Sequence, residues 1–152
     1  MRKASSLWLK IAAFGAVLLA ASSVLSAALL FDKAEFAARR NALMDKIPDG
    51  IAVILGAQLS GNYYPYFQNN DFFYLTGVEI PDAILVLDGA RKSSLLFFTT
   101  TDDAARNEGI GLDLVKNPLE VTGVDRVLPY ADFTRMMTFQ GSRAKVIYTP
   151  FW

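Results

Sequence analysis

The sequence predicts an α/β domain: a mixed, largely antiparallel sheet flanked by helices, preceded by an apolar leader helix. Three observations carry that prediction. Residues 72–76, 83–87 and 94–99 are apolar, aromatic or β-branched runs joined by short turn-rich connections, the pattern of an antiparallel meander. Stretches of helix-forming composition lie before and after these runs. The 152 residues are 53% hydrophobic and 20% charged, which suits one packed domain and argues against disorder.

The elements follow in order. Arg2, Lys3 and Lys10 precede residues 11–31, a run of 21 residues without charge that ends in small side chains. A basic start, an apolar middle and a small-residue end read as a secretory signal peptide over residues 1–28, cut after Ser26 or Ala28. The competing reading is an uncleaved membrane anchor, since a helix rising about 1.5 Å per residue is just long enough here to span the hydrocarbon layer. Ser22, Ser23, Ser26 and many alanines weaken that reading, and either one exports the chain to the periplasm or beyond the cell. Removing residues 1–28 takes away three positive charges and leaves a formal net charge of −3.

Asp32 is placed to cap a helix running to Lys46, with Glu35 completing a variant capping box and Phe36, Leu43, Met44 and Ile47 on one side. Pro48, Asp49 and Gly50 stop it. Residues 51–55 form a continuous apolar run, expected as a strand buried on both faces. A glycine-containing loop over 56–62 then leads into residues 63–77, YYPYFQNNDFFYLTG. Seven of these fifteen residues are aromatic, which predicts the centre of the fold, with Phe73 buried. Gln68, Asn69, Asn70 and Asp71 make a turn by bonding their own backbone, and residues 72–76 are expected as a strand ended by Gly77.

Strands over 83–87 and 94–99 continue the meander, with Asp88-Gly89 turning the chain between them. Residues 102–116 are helical in composition but interrupted by Gly109 and Gly111, so a broken helix is expected. Asn117-Pro118 starts a short helix, residues 126–128 a brief edge strand, residues 132–138 a helix and residues 144–148 the last strand.

Composition also limits the chemistry. Fifteen basic residues balance fifteen acidic ones with no basic cluster in the folded portion, which excludes nucleic acid as a partner. The chain has no cysteine, hence no disulfide, thiolate site or cysteine nucleophile. It has no histidine, so the usual neutral-pH general base and the commonest transition-metal ligand are absent, and its serines lack their usual activator. Asp71, Glu79, Asp82 and Asp88 fall near the meander, but without histidine they read as turn residues and solvated charges rather than metal ligands. Gly109-Ile110-Gly111 follows no strand and is no phosphate loop. No catalytic residue, metal ligand or cofactor site is assigned within the chain.

The block YPYFQNNDFFYLTG, followed by Glu79-Ile80-Pro81-Asp82-Ala83, resembles the N-terminal domain of Xaa-Pro aminopeptidases (aminopeptidase P), within the creatinase and prolidase group of "pita-bread" metallopeptidases. The resemblance runs from residues 36–40 to residues 123–127, about two-thirds of the chain, with order and spacing matching across several blocks. It implies the N-terminal-domain fold over residues 32–152. It places the chemistry in a C-terminal domain, where two aspartates, a histidine and two glutamates hold two manganese ions; none of those ligands has a counterpart here. What it implies for this chain is a wall closing over the substrate's end, together with subunit contacts. The partners implied are the parent enzyme's catalytic domain, proline-containing peptides and further copies in a homo-oligomer, with a membrane met only through an uncleaved leader.

In some members of the family this chain resembles, a tryptophan two residues before a glycine reaches towards a neighbouring active site, and an arginine and a second glycine follow. The corresponding residues 107–111 here carry neither the tryptophan nor the arginine. Most of the aromatic block reads as core; the residues best placed to face substrate are Tyr64, Tyr66, Asn70 and Asp71, before the expected strand. The leading expectation is the N-terminal domain of an exported Xaa-Pro aminopeptidase, inactive alone. The alternatives are a stand-alone exported module that binds a peptide or a sister subunit without catalysis, and the N-terminal domain of a prolidase or creatinase.

Overall fold

The computed structural model describes residues 32–59 and 65–150. The leader, with its signal-peptide and anchor readings, lies outside the described residues, as does Tyr64. Continuous apolar runs give β1 (Gly50–Leu55), β2 (Ile84–Asp88) and β3 (Ser93–Phe97), which pair antiparallel in succession. Ile51 faces Asp88 and Leu55 faces Ile84; across the next ladder Ile84 faces Phe97. Two short strands join in parallel, β4 (Arg126–Leu128) beside β3 and β5 (Val146–Tyr148) beside β1. The sheet order is β4-β3-β2-β1-β5, mixed with the longer ladders antiparallel, as expected.

Side chains alternate across the pleat, so successive strand residues feed two separate cores. On one face Ala52, Ile54, Leu85, Leu87 and Leu96 pack under the helices α1 (Lys33–Lys46), α2 (Asn70–Thr76), α3 (Asp102–Glu108), α4 (Leu112–Lys116) and α5 (Pro118–Thr122). On the other, Ile51, Val53, Ile84, Val86, Leu95 and Phe97 meet α6 (Phe133–Gly141), where the Phe97 and Phe133 rings pack edge to face at 5.5 Å. Strand β1 is therefore buried on both faces, as its unbroken apolar run predicts. The broken helix over 102–116 is also found: Gly109, at φ 72°, ends α3 before α4 begins.

Three expectations are corrected. Residues 72–76 are not a strand; they form helix α2, and the meander's first strand is β1. The aromatic run FFYLT favours strand locally, but the ends of the segment decide otherwise. The Asn69 side chain accepts from the Asp71 N–H (3.1 Å), capping the first turn. Gly77 takes the left-handed conformation at φ 70°, and its N–H closes the last turn on the Phe73 carbonyl (2.8 Å). A Cβ there would also run into the Phe36 ring. Helical spacing then buries Phe72, Leu75 and Thr76 and turns Phe73 and Tyr74 outward, 38% and 56% exposed. The aromatic block thus supplies the core chiefly through Phe72, and Phe73 is not its buried anchor. At the start of α1, Asp32 holds the N-cap position without a side-chain bond, and Glu35 pairs with Arg39 (3.1 Å) instead of closing a capping box.

Candidate functional site

The loops that leave β1 and lead into α2 and β2 meet at one end of the sheet, and the candidate residues lie on that rim. The ladder between β1 and β2 continues past their ends: the Gly56 N–H donates to the Ala83 carbonyl (2.7 Å) and the Asp82 N–H to the Ala57 carbonyl (3.0 Å). Gln68 adds the third loop. Its Oε1 accepts from the N–H groups of Ala57 (2.7 Å) and Asn69 (2.8 Å), while its Nε2 donates to the Ile80 carbonyl (2.9 Å).

Asn70 and Asp71 open α2 on the exposed side of this rim. Both line a cleft of about 570 Å³ with Ala57, Phe67, Gln68 and Asn69; the Phe67 ring is 78% exposed. Tyr66 stands just before. It is half-buried, and its hydroxyl is shut off from solvent without a hydrogen-bond partner. Burial, reinforced by the charges of Glu79 and Asp82, pushes the Tyr66 hydroxyl up to about 12. It is a protonated donor throughout the physiological range. Asp82 and Glu108 border a second, smaller cleft of about 270 Å³ with Thr99, Thr100 and Tyr130. Glu108 ends α3, so the 107–111 loop reaches the same rim. Ile110 anchors that loop in the core.

The four carboxylates near the meander do not converge. Asp88 is at the far end of β2, buried and bonded to Arg91 through the backbone N–H (2.9 Å) and Nη1 (2.6 Å). Asp71 and Glu79 are exposed on the rim. Among the described residues no three acidic side chains group to hold a metal ion. Carboxylate oxygens suit manganese, but the described ones are too dispersed to fit a two-manganese centre.

Two organising residues escaped the sequence reading. Gln68 looks like one amide among several. Arg40 sits at helical spacing between Phe36 and Met44, on the apolar side of α1, and that position was its signal. It is fully buried, and its guanidinium donates to the carbonyl of Leu75 (2.9 Å) near the end of α2 and to those of Thr122 (3.3 Å) and Gly123 at the end of α5. A cation suits the negative ends of both helices. Burial lowers its proton affinity, and the charge of Asp125 works against that loss.

Residues 36–148 match the family model of the aminopeptidase P N-terminal domain. The chain belongs to that family. Xaa-Pro aminopeptidase of Escherichia coli is 33% identical over 114 residues, which cover 68% of this chain and 25% of that protein. Among solved structures, the low-pH form of aminopeptidase P from E. coli superposes with a TM-score of 0.66 at 30% identity, over 78% of this chain and 29% of that one. Aminopeptidase PepP of Pseudomonas aeruginosa gives a TM-score of 0.70 at 24% identity, a likeness of fold, over 82% of this chain and 30% of that one. This aminopeptidase P N-terminal domain therefore spans less than a third of the length of these relatives.

Proposed function

We propose that this aminopeptidase P N-terminal domain caps the substrate end and supplies subunit contacts for an exported Xaa-Pro aminopeptidase. Release of the residue before proline belongs to a catalytic domain whose ligands hold the manganese ions. The observation that carries this reading is a pairing. Residues 36–148 match one domain of a larger peptidase family, and among the described residues no three histidine, cysteine, aspartate or glutamate side chains group to hold a metal ion. The leader supports export, and the relative's own activity favours aminopeptidase P over prolidase or creatinase parentage. Tyr64, Tyr66, Asn70 and Asp71 are the residues assigned by the sequence to face proline-containing peptides, and of these Asn70 and Asp71 line the cleft.

Its test is an assay of the purified full chain with manganese and peptides carrying proline at the second position. No release of the first residue is expected. Turnover that survives repurification and disappears with a chelator overturns the reading.

A further inference from the structure

Ile80 is 2% exposed, so its carbonyl needs a partner from the protein, and Gln68 supplies the bond. Ala57 and Asn69 direct their N–H groups at the other end of the same amide. The three bonds leave one consistent orientation. Reversed, the amide would set its NH₂ against two donors and its oxygen against a carbonyl. No other side chain meets all three demands: asparagine is one methylene short, and glutamate keeps the acceptor but loses the donor.

We propose that Gln68 is the positioning residue of the rim, tying the three loops into one body so that Asn70 and Asp71 are presented together to a peptide end. The bonds span loops that sequence keeps apart: the segment after β1, the lead into α2 and the connection before β2. Asn69 is bonded to Gln68 through its N–H and caps α2 through its side chain, so the amide also sets where α2 begins. The peptide role rests on the proposed function. The tie itself is read without substrate, so its failure leaves that function standing to be judged on its own assay.

The test is amide hydrogen exchange by NMR on the full chain. Gln68→Leu should speed exchange at Ala57 and Asn69 by at least about tenfold and shift the Asn70 and Asp71 resonances, with Leu85 and Leu96 in the sheet unchanged. Gln68→Glu, which keeps the acceptor, should restore protection at Ala57 and Asn69. If Gln68→Leu does not fold, Gln68→Asn takes its place with the same expectation. Unchanged exchange at Ala57 and Asn69, equal loss in the glutamate variant, or equal acceleration in the sheet each overturns the proposal.

Discussion

Tyr66 is the residue where burial and charge act in the same direction. A buried hydroxyl without a partner costs stability, and nearby Glu79 and Asp82 oppose its ionisation. Its folded value, about 12, lies above the ordinary 10.0, so the protonated form favours the folded state. That contribution is complete below pH 10 and is lost as pH rises through 12. Tyr66→Phe should therefore flatten the decline in unfolding midpoint over this alkaline window. At pH 7 it should change stability by less than about 0.5 kcal/mol or raise it, since it removes an unsatisfied group. A denaturant series at each pH checks both outcomes. Arg40 is the opposite case: a buried charge whose donors end on helix carbonyls, with the charge of Asp125 in support.

At the scale of elements, α2 separates local preference from context. Phe72→Ala should cost about 3–5 kcal/mol, as a fully buried aromatic does, whereas Phe73→Ala should cost less than about 1 kcal/mol. Chemical denaturation of the two variants checks this; equal losses would mean that the strand reading of 72–76 was right after all. Strands β1, β2 and β3 were legible because each is an unbroken apolar run between turn signals. The broken helix was legible because Gly109 marks its end. Residues 72–76 were not, because FFYLT suits a pleated surface, and the deciding signals, Asn69 and Gly77, flank the run. In the candidate site, Asn70 and Asp71 line a cleft, but from the first turn of α2 rather than from a loop before a strand. Gln68 was hidden because its partners, Ala57 and Ile80, lie 11 and 12 residues away, beyond any local pattern.

At the scale of the molecule, a sheet with a core on each face carries Gln68, Asn70, Asp71 and Asp82 on one rim. The meander and α1 hold together through aliphatic packing, and Arg40 joins the ends of two helices to α1. The rim offers hydrogen-bond donors, an exposed aromatic ring and separated carboxylates. The proposed function is a division of labour, with shape and positioning on this chain and metal chemistry on another domain. The most direct measurement is calorimetric titration of manganese into the full chain at pH 7. The expected trace shows no saturable site tighter than about 1 mM, the weak range of scattered carboxylates. A one-to-one site of micromolar affinity, removed by substituting Asp71, Glu79 or Asp82, would contradict it.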